Sequence, residues 1–105
     1  MTDVTAGQLE KTGNSLDLAI TGEGFFVVQT ENGDRYTRNG RFKLDGEGQI
    51  VTQTGDPLLS DSGNPFFLSP DDTNITISRN GTVATNNGEL GQIRLVNFEA
   101  PQKLL

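Results

Sequence analysis

The chain has no cysteine and no histidine among its 105 residues. Without cysteine it can form neither a disulfide nor a thiolate metal site, and without histidine it lacks the commonest general base and transition-metal ligand. Serine and threonine are plentiful, but no histidine can activate them as nucleophiles. We therefore predict no catalytic residue, no metal site and no cofactor.

Long apolar runs and an excess of positive charge are absent as well. No stretch approaches the roughly 20 residues of a membrane-spanning helix, so no direct membrane insertion is expected. Residues 1–12 lack the basic start and apolar middle of a secretory signal. Lysine and arginine number 8 against 14 aspartate and glutamate residues, which gives a net charge of −6. A charge of that sign opposes binding to nucleic acid, because phosphate neutralisation dominates such affinity.

Turn-forming residues are abundant, with 13 glycines and many Asn, Asp, Ser and Thr residues. They separate short apolar segments at intervals of roughly 8–12 residues, which is typical of a sandwich or barrel. We predict an all-β fold, a compact antiparallel sandwich-like or barrel-like domain of about nine short strands. The predicted strands are 16–20, 25–28, 35–38, 42–44, 50–53, 66–68, 75–78, 82–84 and 92–98.

Three segments of the chain make the prediction more specific. Residues 25–28 are apolar on both faces, which indicates a central strand buried between two layers. Asn32-Gly33 is the strongest hairpin signal, since a tight turn of that type needs positive φ at both positions. Residues 86–91 are predicted as a loop.

The predicted domain organisation is simple. We expect an extended arm or linker over residues 1–14, a β-domain core over 15–99 and the start of a C-terminal connector over 100–105.

Three local patterns suggest chemistry but are better explained as turns. Gly22-Glu23-Gly24 begins like a dinucleotide fingerprint, yet Val27 takes the place of the third glycine and no helix follows. Residues 45–48 and 71–74 concentrate acidic side chains without the full calcium-binding loop pattern, so solvated turns are expected and weak calcium binding is the alternative. A pair of carboxylates suited to glycoside hydrolysis also stays open as an alternative.

Half of the positive charge lies in one short stretch that also contains two aromatic residues. The basic residues are Arg35, Arg38, Arg41 and Lys43. A basic strand with interleaved aromatics can stack single-stranded nucleic acid. The net charge favours instead a strand whose Tyr36 and Phe42 enter the core while the charges point outward. A third interpretation is an electrostatic contact with an acidic neighbouring subunit, and we take the four basic residues as the predicted partner interface.

Two long motifs and a weaker third one follow one another in the order found in the flagellar basal-body rod and hook protein family. The first is TGNSLDLAI at 12–20 with GEGFFVV at 22–28. The second is YTRNGRF at 36–42 followed by LD at 44–45 and GQIVT at 48–52. The third combines residues 75–83 with LVNF at 95–98. The chain resembles this family, most of all its proximal rod members, with distal rod and hook members as alternatives.

The resemblance implies a function and a location. It implies a non-enzymatic structural subunit that packs laterally in the axial structure transmitting torque for motility. Other rod and hook subunits and further copies of the chain would be its partners, and the isolated domain is expected to be monomeric. It also implies a periplasmic location in the basal body and type III export without a cleaved signal peptide. A carbohydrate- or ligand-binding β-module is the alternative of another class.

The resemblance also implies roles for individual residues and for the chain as a whole. The family's middle domain is a compact β-structure flanked by helical terminal segments, so we expect this chain to be the core piece of a longer subunit. Its motif glycines, Gly22, Gly24 and Gly40, are implied to serve turns where a side chain would clash. Its motif aromatics are implied to fill the core. They are Phe25, Phe26, Tyr36 and Phe42.

Overall fold

The computed structural model describes residues 2–3, 8–12 and 16–98, and every regular element in these ranges is a β-strand. The strands are β1 (Thr2–Asp3), β2 (Gln8–Lys11), β3 (Leu18–Thr21), β4 (Phe25–Thr30), β5 (Gly33–Thr37), β6 (Phe42–Leu44), β7 (Ile50–Thr52), β8 (Thr76–Ile77), β9 (Thr82–Thr85), β10 (Gly88–Gln92) and β11 (Leu95–Asn97). These ranges contain no helix that is long and apolar enough to cross a membrane.

The strands form four small sheets in which every pair is antiparallel. One sheet has the order β1-β11-β4-β5 and a second has the order β10-β9-β8, while β2-β3 and β6-β7 form two-stranded pairs. The predicted all-β antiparallel class is confirmed, although the described strands number eleven rather than about nine. Two-stranded sheets are marginal alone, so these depend on packing against one another.

Strand β4 is buried on both faces. Phe26 and Val28 enter a larger core, whereas Val27 between them enters a smaller core on the opposite face. This division follows from the alternation of side chains along a strand. The predicted central strand between two layers is therefore confirmed.

The two cores differ in size. The smaller core consists of Val27, Leu59 and Val96, with Phe25 packed against it. The larger core draws residues from all four sheets and from the connections between them. Its buried members are Leu9, Leu16, Leu18, Ile20, Phe26, Val28, Phe42, Ile50, Leu58, Phe66, Leu68, Val83, Ile93 and Leu95. Each such side chain contributes about 1.5–3 kcal/mol when it leaves water, so the larger core supplies most of the hydrophobic stabilisation.

The structure describes parts of the predicted N-terminal arm but none of the predicted C-terminal connector. Within the predicted arm, β1 pairs with β11 and β2 pairs with β3, and the Leu9 side chain of β2 is 3% exposed in the larger core. The arm is thus extended where it is described, and these two strands pack on the β-domain. Residues 13–15 at the predicted boundary and residues 99–105 with the predicted connector lie outside the described residues.

The chain between β7 and β8 contains no strand, but its backbone forms hydrogen bonds with strands of two different sheets. The amide of Leu58 donates to the carbonyl of Ile50 at 2.9 Å, and the amide of Leu59 donates to the carbonyl of Val27 at 2.9 Å. These bonds join β7 to β4 through the connection. The strand predicted at 66–68 is wrong, because a single bridge residue takes its place.

The loop predicted at 86–91 is also wrong. Only Asn86 and Asn87 form a turn, and β10 then pairs with β9 from Gly88 onward. The pairing is irregular between Glu89 and Gly91, where a bulge shifts the register. Two glycines and a glutamate give this strand the composition of a loop, but its backbone hydrogen bonds to β9 hold it extended.

Gly40 brings two parts of the backbone into close contact. It was expected to serve a turn, but its φ does not fall in the left-handed region. A Cβ placed there would lie 1.8 Å from the carbonyl oxygen of Leu18. The amide of Leu18 donates to the carbonyl of Gly40 at 2.9 Å, and the amide of Phe42 donates to the carbonyl of Leu16 at 3.1 Å. The chain before β6 therefore runs directly alongside the start of β3.

This contact predicts a large penalty for the smallest possible side chain. Gly40→Ala must push the two backbones apart, and we expect it to lower the free energy of unfolding by about 3 kcal/mol or more. Gly46→Ala is the matched control, because Gly46 has no atom within 4 Å of the added Cβ and no left-handed φ. Denaturant titration compares the two variants. Equal stability of Gly40→Ala and Gly46→Ala would show that the close approach is not required.

Candidate functional site

The guanidinium group of Arg38 is bonded within the domain. Its Nη1 donates to the carbonyl of Gly24 at 2.7 Å and its Nη2 donates to the carbonyl of Ile20 at 3.1 Å. Gly22 and Gly24 have φ values of 91° and 131°, as the predicted turn between β3 and β4 requires. The fixed fork of an arginine suits two carbonyls at once. Arg38 thus holds this turn against the segment that follows β5.

Arg38 is exposed despite these bonds, and so are the other three predicted interface residues, Arg35, Arg41 and Lys43. Arg41 and Lys43 flank the buried Phe42, so they point away from the larger core on one face of β6. Arg35 lies on β5 opposite Val28. Within residues 2–3, 8–12 and 16–98, none of the three makes an ion pair.

Arg41 borders a hollow beside β4 and β5. This shallow hollow of about 210 Å³ is lined by Val28, Thr37, Arg41 and Asp56, among others. Arg35 is opposite Val28 and two residues from Thr37, so its side chain shares that face of β5. By this alternation we infer that Arg35 and Arg41 face one side of the domain, and that Lys43 shares the face of Arg41. We call Arg35, Arg41 and Lys43 the basic surface.

Tyr36 was expected in the core, and this prediction is wrong. It is 39% exposed on the face of β5 that carries the smaller core, opposite Val27. Its ring meets the edge of Phe98 with centroids 4.9 Å apart and planes at 86°. Phe98 is 45% exposed and also contacts Phe25 at 5.7 Å. We call Phe25, Tyr36 and Phe98 the aromatic surface.

The aromatic residues are poorly arranged for the alternative of stacking single-stranded nucleic acid. Phe42 is 4% exposed, and its ring packs edge-on against Phe26 at 5.1 Å. It is not available to stack a base beside Tyr36, as single-strand binding requires. Tyr36 itself meets Phe98 edge-on and does not form a flat platform with it.

The second acidic cluster is organised around Asp72. Its carboxylate accepts hydrogen bonds from Asn87 Nδ2 at 2.8 Å, Thr85 Oγ1 at 3.0 Å and the amide of Ser69 at 2.8 Å. The Asn87 bond, followed by the Ser69 amide bond, lowers the pKa of Asp72 to about 2. Asp72 therefore joins the 69–72 turn to the β9–β10 hairpin as an ionised acceptor.

The first acidic cluster also serves a turn. The Oδ1 atom of Asp45 accepts from the amides of Glu47 and Gln49, both at 2.9 Å, between β6 and β7. Such bonds are typical of an aspartate that closes a turn. In the part of the chain that the structure describes, no three acidic side chains converge in the way a metal ion requires.

Residues 19–85, from β3 to the end of β9, match the family described as flagellar hook protein FlgE/F/G D1 domain. That match covers more than half of the chain. The chain belongs to this family.

Relatives named as flagellar basal-body rod proteins agree with this assignment. The chain is 45% identical to FlgF of Caulobacter vibrioides over 92 residues, which cover 88% of the chain and 38% of that protein. It is 43% identical to FlgG of Buchnera aphidicola subsp. Acyrthosiphon pisum over 101 residues, covering 90% of the chain and 37% of that protein. FlgF of Salmonella typhimurium is 37% identical over 106 residues, covering 92% of the chain and 41% of the relative. The chain thus spans about two fifths of the length of these rod proteins.

Membership in the D1 family gives the motif residues of the first two stretches a structural meaning. Phe26 and Phe42 are core residues, and Gly22 and Gly24 form the turn that Arg38 fixes. The role of Arg38 was missed by sequence reasoning, because its acceptors are backbone carbonyls that any residue supplies.

The bonds of Arg38 predict a loss of stability when its guanidinium is removed. Arg38→Met keeps much of the side-chain stem but loses both charged donors, and we expect a cost of about 1.5–3 kcal/mol. Arg38→Lys should recover only part of this, since one ammonium cannot match the planar fork. Arg79→Met, at an exposed arginine in the β8–β9 turn, should change stability by less than about 0.5 kcal/mol. Thermal unfolding that ranks Arg38→Met with Arg79→Met would refute the assigned role.

Proposed function

We propose that this chain is a non-enzymatic structural domain of a flagellar basal-body rod subunit. The observation that carries the proposal is the family match over residues 19–85 together with relatives that are named rod proteins. FlgF and FlgG both appear among these relatives, so proximal and distal rod positions are both consistent with the similarity. A hook subunit is the further alternative, because the family description includes hook proteins.

The proposed setting follows from the same relatives. A rod subunit would lie in the periplasmic part of the basal body and would be exported by the flagellar type III apparatus without a cleaved signal peptide. Its partners would be other rod and hook subunits, including further copies of itself. Loss of the parent gene in its source organism should therefore abolish swimming, whereas wild-type swimming without the gene would rule out a required rod subunit.

The mechanical part of the proposal is that the domain resists deformation while the rod turns. Three features of its structure support a stiff body: the double burial of β4, the carbonyl bonds of Arg38 and the backbone contact at Gly40. Tightly packed interiors have low compressibility and transmit strain. A load applied to one sheet would therefore be passed to the others through shared side chains.

We place one lateral contact at the basic surface. Arg35, Arg41 and Lys43 are exposed cations with no ion pair among the described residues, in a chain of net charge −6. A partner that is itself acidic, including a second copy, is attracted to such a surface, and charge complementarity fixes orientation more than affinity. Arg38, the fourth residue of the predicted interface, is also exposed, but two of its guanidinium N–H groups already bond to carbonyls of the same domain.

The aromatic surface offers an apolar complement to this contact. Tyr36 and Phe98 are each more than a third exposed, and they lie on the face of the four-stranded sheet that carries the smaller core. Aromatic residues are enriched at protein interfaces because they bury a large area at small conformational cost. Lateral packing of a neighbouring subunit on this face would remove both rings from water.

The basic surface can be tested by charge reversal in the full-length parent protein. Arg41→Glu should reduce swimming, because it replaces attraction to an acidic neighbour with repulsion. Arg79→Glu makes the same charge change at an exposed arginine outside this surface and should leave swimming unchanged. Both variants should fold with stability within about 0.5 kcal/mol of the parent protein. Normal swimming of the Arg41→Glu strain would remove Arg41 from the interface.

A further inference from the structure

Four asparagines in this chain are followed directly by glycine, at Asn32, Asn39, Asn80 and Asn87. An asparagine in this context can undergo attack by the next backbone nitrogen on its own side-chain carbonyl carbon. Glycine favours the attack because it has no side chain to hinder the approach and the widest choice of backbone angles. All four asparagines can react in this way, but their surroundings in the folded domain differ.

At Asn39 the side chain and the following glycine are both fixed. The Oδ1 atom of Asn39 accepts from the amide of Arg41 at 3.0 Å. Gly40 is buried, and its backbone lies directly against Leu18. Ring closure here would break the Arg41 bond and distort a contact that has no spare room.

At Asn80 the side-chain carbonyl has several donors. Its Oδ1 atom accepts from the amide of Thr82 at 3.2 Å, from Thr82 Oγ1 at 3.0 Å and from Ser78 Oγ. The nitrogen of Gly81, which would have to attack, donates to the carbonyl of Ser78 at 2.9 Å. Both reacting groups are therefore held in other bonds.

At Asn87, hydrogen bonds hold the side-chain amide nitrogen, which would have to leave as ammonia. Its Nδ2 atom donates to Asp72 Oδ1 at 2.8 Å and to the carbonyl of Asp71 at 3.4 Å. The Asp72 carboxylate, whose pKa is lowered to about 2 chiefly by this bond, is an ionised acceptor at neutral and alkaline pH. Rotation of the Asn87 side chain toward Gly88 requires that both bonds break.

Asn32 differs from the other three. It is exposed in the turn between β4 and β5, and its side chain makes no hydrogen bond with any described residue. Only its backbone amide is engaged, with Thr30 Oγ1 at 3.1 Å. Gly33 is exposed with a φ of 100°, begins β5 opposite Thr30, and accepts a hydrogen bond from Thr30 Oγ1 at its carbonyl at 2.7 Å. Apart from residues 32–34, no atom lies within 4 Å of the position its Cβ would take. No hydrogen bond to a described residue has to break before the Asn32 side chain turns toward Gly33, in contrast to the other three asparagines.

We propose that Asn32 is the deamidation site of the folded domain and that hydrogen bonds protect the other three Asn-Gly pairs. The nitrogen of Gly33 loses its proton to solvent base and bonds to Cγ of Asn32. The C–N bond of the side-chain amide breaks, and the amide nitrogen leaves as ammonia after taking a proton from water. Water then opens the five-membered imide at either carbonyl, which yields aspartate or β-linked isoaspartate at position 32.

The products change the hairpin in two ways. Either product adds one negative charge to a turn that already carries Glu31 and Asp34. Isoaspartate also inserts a methylene group into the backbone at the point that sets the β4–β5 register. The modification would therefore act on the strand that bears Arg35 and Tyr36.

Peptide mapping by mass spectrometry after incubation of the folded chain in mildly alkaline buffer tests the proposal. Ammonia loss and hydrolysis should appear at Asn32 at least about fivefold faster than at each other Asn-Gly pair, which is the factor that one ordinary hydrogen bond provides. The same chain unfolded in urea is the control, and there the four rates should converge. Equal rates in the folded chain, or a faster rate at another pair, would overturn the proposal.

A second variant tests the protection directly. Asp72→Ala removes the main acceptor of the Asn87 amide, so deamidation at Asn87 should rise at least about fivefold relative to the parent chain. Asn80 lies outside this network and reports any general loosening of the fold. A rise at Asn87 that exceeds any rise at Asn80 supports protection by the Asp72 bond. An unchanged rate at Asn87, or an equal rise at both asparagines, contradicts it.

Discussion

The burial of β4 on both faces is the constraint on which the rest of this structure depends. Phe26 and Val28 lie in one core and Val27 lies in the other, so β4 is a member of both packed layers. Its backbone is also bonded along both edges, to β5 on one side and to β11 and residues 57–59 on the other. Two of the four sheets have only two strands, and such pairs are marginal alone. They persist because each contributes side chains to the cores that β4 organises.

Backbone contacts and the guanidinium of Arg38 join neighbouring sheets. Gly40 allows the chain before β6 to touch Leu18, and Arg38 spans two carbonyls around the β3–β4 turn. Gly48 makes a similar approach, since a Cβ there would lie 2.1 Å from the carbonyl oxygen of Leu68. These contacts need glycine or a forked donor at fixed positions, which gives the family's glycine-rich motifs a packing function. A subunit domain built in this way can be stiff at small size, as a torque-transmitting rod would require.

The parts of this fold that alternation and turn chemistry control were predictable from the sequence. Strand β6 lies where it was expected, and the run at 25–28 is buried on both faces as its composition indicates. The prediction for Tyr36 was wrong because alternation shows only on which face of a strand a side chain lies. It does not show how much of that face is covered, and the smaller core of Val27, Leu59 and Val96 leaves Tyr36 39% exposed. The hairpin predicted at Asn32-Gly33 forms, but its turn residues are Glu31 and Asn32, one position earlier than predicted, and only Gly33 has positive φ, so the turn also differs from the predicted type. All four residues of the predicted interface are exposed, but the bonds of Arg38 to backbone carbonyls could not be predicted, because any residue can supply such acceptors.

The central claim is that four small sheets behave as one cooperative body. Native-state hydrogen exchange tests it most directly at amides that bond between sheets or connections, namely those of Leu18, Leu58, Leu59 and Leu68. If β4 unites the cores, these amides exchange with a single free energy and a single denaturant dependence, both equal to those of global unfolding. Exchange of any one of them through a smaller opening of lower free energy would contradict the account, because that sheet would then unfold while the others stay intact.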